Sequence, residues 1–246
     1  MTKELQSRSK ELTAGRVTKV LHRKVLLRML VLLLLLLLLA SGCARLPDYA
    51  RPQFHVPENA AAMRREGFGY RELTIADFQA RELPSAYRQH HHRINAHSCI
   101  SIRPGGETKA QITQGAYDGR LFYLGRIAQV RFEAVFVPSC SWWSPEIPEG
   151  RRAYVLQHEQ IHFALAELAA RRLTMDARRE LDDDLVVNDS YKAVQEELAA
   201  KIQALAREAM EASFEEHTDF DEETSLYFDP RAQRWWLEEV TRRLAN

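Results

Sequence analysis

Leu156-Gln157-His158-Glu159-Gln160-Ile161-His162-Phe163-Ala164-Leu165-Ala166-Glu167-Leu168-Ala169-Ala170-Arg171-Arg172-Leu173 is the stretch whose period decides the fold. With Tyr154 just ahead, its apolar residues Ile161, Leu165, Leu168, Ala169 and Leu173 fall at helical spacing. That spacing predicts a helix from Arg151 to about Leu173. With Ile161 at 0° and about 100° per residue, Leu165 lies near 40°, Leu168 near 340°, His158 near 60° and His162 near 100°. Both histidines therefore border the apolar face, one turn apart. Buried imidazoles beside a carboxylate need partners, and a metal ion supplies one.

His158-Glu159-x-x-His162 is the HExxH pattern of zinc hydrolases. Two imidazoles four residues apart reach one ion. Glu159 sits about 100° round the helix from His158, where it misses the ion but reaches water beside it. Zinc lowers that water's pKa to roughly 7, and the carboxylate takes the proton as general base. A catalytic zinc has three protein ligands and an open position. Glu167 points about 160° away from the histidine pair, so helical geometry makes it a supporting residue.

Upstream the period is two. Over Ile127–Val137, Val130, Phe132, Ala134 and Phe136 alternate with Arg131, Glu133 and Val135, which predicts a half-buried strand ended by Pro138. In folds of this kind a sheet edge there holds extended substrate. Ala96–Arg103, Lys109–Gln114 and Leu121–Leu124 are further candidate strands, and Arg71–Phe78 a short strand or turn. Residues 138–149 form a loop whose Trp142 and Trp143 either line a cleft or pack the core. His90–His92 reads as a polar loop and Asp182–Asp184 as a solvated one. Downstream, Tyr191, Val194, Leu198, Ile202, Leu205 and Ala209 predict a helix over about Ser190–Ala212, with Ser190 as N-cap. Trp235, Trp236, Leu237, Val240 and Leu244 predict a last helix over Pro230–Leu244. Strands first and helices after give an α+β fold class: one domain, a small antiparallel or mixed sheet, the HExxH helix, then C-terminal helices.

The amino-terminal region is of another kind. Eight cations and two acids precede twelve apolar residues, Met29–Ala40, followed by Ser41, Gly42 and Cys43. The apolar run is short of the roughly 20 residues of a membrane span. This is the order of a cleaved signal peptide. Leu-Ala-Ser-Gly-Cys resembles a bacterial lipobox, which implies cleavage before Cys43 and lipidation of its thiol. Ala44 after the cysteine implies the periplasmic face of the outer membrane. Residues 1–42 are then the signal peptide, 43–65 a proline-containing tether, and 66–246 the domain.

The chain has 246 residues and 34 residues of each charge, formally neutral. Removing the eight cations and two acids of residues 1–42 leaves 204 residues carrying six negative charges. An acidic exported portion argues against nucleic acid as a partner. Three cysteines are too few for a disulfide scaffold. In an oxidising compartment Cys99 and Cys140 either pair or stay as two buried thiols.

Leu156–Leu173 resembles the active helix of a bacterial family of predicted zinc-dependent proteases, long catalogued as a domain of unknown function and marked by HEQ-x-HF. Arg71–Phe78 resembles its Leu-Thr-x-x-Asp-Phe opening, Ala96–Ser101 its Ala-x-Thr/Ser strand, and Phe136–Trp142 its strand and Ser-Trp segment. Phe220–Trp236 resembles its closing Tyr-Asp-x-x-Thr-x-His-Gly segment with the Gln and Trp that follow. The likeness spans about residues 66–240. It implies a zincin-like fold, Zn2+ as cofactor, and a zinc metallopeptidase whose substrate is a peptide or envelope protein. Leu226 and Tyr227 stand where the family has His and Gly, so the likeness carries metal binding further than activity.

The third ligand stays open among three residues. Glu197 flanks the stripe of the next helix. Asp221 matches the family's closing segment. His217 lies in the same acidic stretch, Glu215–Glu223. Three functional readings follow: a lipid-anchored envelope metallopeptidase, a cell-wall amidase using the same chemistry, and a catalytically inactive zinc-binding or structural envelope lipoprotein.

Overall fold

Strand β1 (Phe68–Gly69) is only two residues long, and that shortness shapes the centre of the domain. It pairs antiparallel with β6 (Phe132–Phe136), which pairs on its other side with β3 (Ile100–Pro104). Beyond the reach of β1, the N–H groups of Phe132 and Ala134 donate instead to side chains of helix α1 (Glu149–Glu180). Phe132 meets Thr174 Oγ1 at 2.8 Å and Ala134 meets Glu167 Oε2 at 3.2 Å. A buried N–H left unpaired would be costly, so the helix completes the sheet. Glu167 thus has a structural part, and Arg171 Nε holds its other oxygen at 2.9 Å.

The computed structural model describes residues 45–52, 66–181, 184–225 and 228–246. The signal segment, Cys43, residues 53–65, Leu226 and Tyr227 lie outside the described residues. Residues 46–246 form one compact unit. It is α+β, with small antiparallel sheets and three C-terminal helices.

A two-stranded sheet joins β2 (Ala96–His97) to β7 (Trp142–Trp143). A third joins β4 (Lys109–Tyr117), β5 (Arg120–Gln129) and β8 (Val186–Asn188). Asp118 and Gly119, at φ 51° and 72°, make the β4–β5 turn, the left-handed pair that a twisted two-residue hairpin needs. Helix α1 covers the central sheet: Phe163 and Ala166 meet Ala134 and Phe136, and Ala170 and Leu173 continue the core with Phe132. Helix α2 (Tyr191–Thr224) packs Val194, Leu198 and Ile202 into the same core. Its Ser190 N-cap accepts from Ala193 N. Helix α3 (Pro230–Leu244) closes the far side, where Trp236 and Val240 meet Ile161, Leu165 and Phe220.

Several boundaries differ from the sequence expectation. Ile127–Val137 is not one strand: β5 ends at Gln129 and β6 begins at Phe132. At the bend the Arg131 carbonyl accepts from Gly105 N and Thr108 Oγ1, both at 2.8 Å. Two interrupting residues preserve the parity of the alternation, which hid the break. In its sheet β6 is central, between edge strands β1 and β3. Ala96–Arg103 divides into β2 and β3 around Ser98 and Cys99. Arg71–Phe78 holds a 3-10 turn, Ile75–Asp77, where Asp77 Oδ2 accepts from Thr74 N at 2.7 Å and Arg71 grips both carboxylate oxygens. Residues 46–52, expected within the tether, lie on the domain. Leu46 is buried, its N–H donates to Glu222 Oε1 at 2.9 Å, and Tyr49 stacks on His90 at 3.8 Å.

Candidate metal centre

Three ligand atoms converge where α1 crosses the C-terminal part of α2. His158 Nε2 and His162 Nε2 are 3.1 Å apart, and Asp221 Oδ1 lies 2.9 Å from the first and 3.0 Å from the second. The triangle is nearly equilateral. Donors of this kind, bonded at about 2.0–2.1 Å to a tetrahedral ion, would stand roughly 3.3 Å apart. The observed triangle is slightly tighter than that face of a tetrahedron, so the residues fit a metal ion. The side chains are only 11–14% exposed. Among the described residues this is the group of His, Cys, Asp and Glu side chains gathered closely enough to hold one.

The outer nitrogens are fixed as well. His162 Nδ1 faces His217 Nδ1 at 2.9 Å, with the two rings nearly parallel. Thr224 Oγ1 stands 3.5 Å from His158 Nδ1 and donates its own proton to Phe220 O at 2.6 Å. It is thereby left to accept from His158. With the proton of each ring on Nδ1, both Nε2 lone pairs would face the shared centre, the arrangement metal ligation requires. Phe220 wedges the pair in place, 4.4 Å from the His158 ring and 4.9 Å from His162.

Asp221 and the imidazoles facing it favour each other's charged forms. Burial alone would raise Asp221, but the imidazoles of His162 and His158 outweigh it and hold the carboxyl well below the usual carboxylate range. Burial alone would lower His162; the Asp221 carboxylate outweighs that and raises it. His217 has no such carboxylate bond. Burial, with the neighbouring His162 charge, pushes it down to about 3. It is therefore a neutral ring able to accept from His162 Nδ1, and its own Nε2 is buried without a hydrogen-bond partner.

Helix α3 braces the centre from behind. Gln233 is fully buried and donates to Tyr154 O and Gln157 Oε1, both at 2.9 Å. Trp236 Nε1 donates to Glu223 Oε2 at 2.7 Å.

Glu159 faces the same cleft, 5% exposed, and Ser98 Oγ donates to its Oε2 at 2.5 Å. The cleft encloses about 590 Å³, walled by α1, the end of α2, residues 94–103 and the amino-terminal segment 46–52. Cys99 and Cys140 form a disulfide, with Cα atoms 5.7 Å apart, which ties the start of β3 to the turn before β7. Cys99 N also donates to Ser141 Oγ at 2.9 Å.

Of the three candidate third ligands, the structure brings Asp221 to the histidines and seats His217 behind one of them. It sets Glu197 apart. That carboxylate is half exposed, 3.9 Å from Lys201 Nζ, and lies 24 residues before Asp221, roughly 36 Å along α2. Trp142 and Trp143 pack inside, against Leu83 and Tyr87 and against Phe78, and do not line the cleft. His90–His92 stay on the surface side of the domain and, among the described residues, belong to no group placed to hold a metal ion. Ser98 was not singled out from the sequence; its signal was the Ala96-x-Ser98 likeness.

Compared with family models, with curated proteins and with solved structures, the chain matches none.

Proposed function

We propose that this chain is a zinc-dependent, zincin-like hydrolase of the bacterial cell envelope that cleaves peptide bonds and is anchored by lipid on Cys43. The observation that carries the reading is the triangle of His158, His162 and Asp221 with Glu159 in the same cleft. Two imidazoles and a carboxylate are a catalytic zinc's donor set, and all three side chains line the cleft. Zinc, when bound, supplies Lewis-acid activation of water and of a carbonyl.

The chain's own residues do the rest. Glu159 accepts a proton from water in the cleft and returns it to the departing amine. The Ser98 hydroxyl fixes one oxygen of that carboxylate, which leaves the other to serve as the base. His217 and Thr224 hold the ligand rings in the required tautomer. Edge strand β3 lines the cleft, and its backbone is suited to hold an extended peptide by strand addition. The Leu-Ala-Ser-Gly-Cys43 sequence supports the envelope location.

The test is bound zinc and hydrolysis of an unfolded protein, measured on the full-length chain and on Glu159→Ala. The expected result is one zinc per chain in both and turnover in the wild type alone. Zinc with equally negligible turnover in both would make the domain a non-catalytic zinc-binding module. A chain that takes up no zinc removes the reading.

A further inference from the structure

Charge on the cleft wall is one-sided. Its acids are Glu159 and Asp221. Both are engaged, the first by Ser98 and the second between two histidines. Every other formally charged side chain on the wall is an arginine: Arg51, Arg93, Arg103 and Arg151. This runs against the background, because the chain beyond residue 42 is net acidic by six.

Two of these arginines have no carboxylate partner among the described residues. Arg151 lies in the first turn of α1, where the helix dipole disfavours a cation. Among the described residues it forms no ion pair; its guanidinium rests on the Phe228 ring, 4.9 Å from the centroid. Arg93 likewise has no carboxylate partner among the described residues and donates to neutral groups, His92 Nε2 at 3.2 Å and Tyr49 Oη at 3.4 Å. A guanidinium on neutral neighbours keeps its capacity for a bidentate carboxylate. A cleft with low-dielectric walls also concentrates the field of such charges on whatever enters it.

From this one-signed wall we infer that the cleft selects anionic peptides, segments rich in Asp and Glu, over neutral and basic ones. The inference rests on the peptidase reading for the nature of the chain bound. It adds which peptides. Arg93 and Arg151 are the specificity residues, and neither belongs to the metal centre.

The experiment is fluorescence anisotropy on full-length Glu159→Gln, which removes turnover from the readout. The probes are labelled peptides of one sequence whose variable positions carry Glu, Gln or Lys. The Glu peptide is expected to bind about tenfold tighter than the Lys peptide at about 0.05 M salt, and the gap to narrow at about 0.5 M. Adding Arg93→Gln and Arg151→Gln, both at exposed positions, closes the gap between the Glu and Lys peptides. Equal affinity for the three peptides overturns the inference, as does a gap that survives the double variant. Zinc content and hydrolysis, measured in parallel, separate the two readings. Charge-selective binding without zinc or turnover keeps this inference and sinks the hydrolase. Turnover without charge selectivity does the reverse.

Discussion

The Nδ1 atoms of His162 and His217 face each other across 2.9 Å, so one ring donates and the other accepts. If His162 offers Nε2 to a metal ion, its Nδ1–H is the donor and His217 the acceptor. His217→Ala removes that acceptor and lets the ligand ring rotate. Zinc affinity is expected to fall about 10–100-fold, read by competition with a chromophoric chelator. His217→Asn, which offers a carbonyl in place of the ring nitrogen, is expected to recover part of the loss.

Asp221 and Glu197 give a sharper contrast, since both are carboxylates on α2. Asp221→Ala is expected to abolish stoichiometric zinc. Glu197→Ala is expected to leave zinc untouched and to change stability by less than about 1 kcal/mol, the scale of an exposed ion pair. Metal content of the two purified variants decides it; equal zinc in both would refute the ligand set.

How far the sequence discloses this site depends on which face of α2 is read. From Tyr191 to Ala209 the inward positions are apolar and the period is plain. After Met210, the buried positions are Ser213, His217, Phe220, Asp221 and Thr224. They keep helical spacing, but most are polar, and His217, Asp221 and Thr224 line the cleft at the candidate metal centre. A reading based on hydropathy therefore ends the helix near Ala212, although it continues to Thr224. The spacing of Ser213, His217, Asp221 and Thr224 was the available signal. The HExxH pair needs no partner element to be recognised, which is why α1 was legible. Ser98 was not, because its role exists only once β2 and β3 pass beside α1.

Asp77 provides a pH test away from the metal. The Arg71 guanidinium, with Thr74 N–H and hydroxyl, lowers its pKa despite partial burial. A carboxyl with a lower pKa in the folded state stabilises above its unfolded value, near 3.9, and loses that contribution as pH falls through the folded value. Asp77→Asn is expected to cost about 1 kcal/mol at neutral pH, discounted because Arg71 is 45% exposed. The difference from wild type should close below about pH 4. Urea unfolding at neutral and acid pH measures both; a gap that widens on acidification would contradict it.

Gly125 lies where β5 packs against α2. A Cβ there would overlap Val194 Cγ1 and come within 2.9 Å of Leu198 Cδ1. Gly125→Ala is expected to destabilise by about 1–3 kcal/mol through forced repacking. Thermal unfolding reads the loss, and zinc stoichiometry of the folded fraction should not change.

The third donor follows His162 by 59 residues and sits on a different helix. During synthesis the ribosome releases the imidazole pair long before the carboxylate. A polypeptide interrupted between residues 162 and 221 keeps two of the candidate donors, too few for a tight tetrahedral site. Prematurely terminated copies would thus be born metal-poor, and occupancy would report whether translation had run through the final helices.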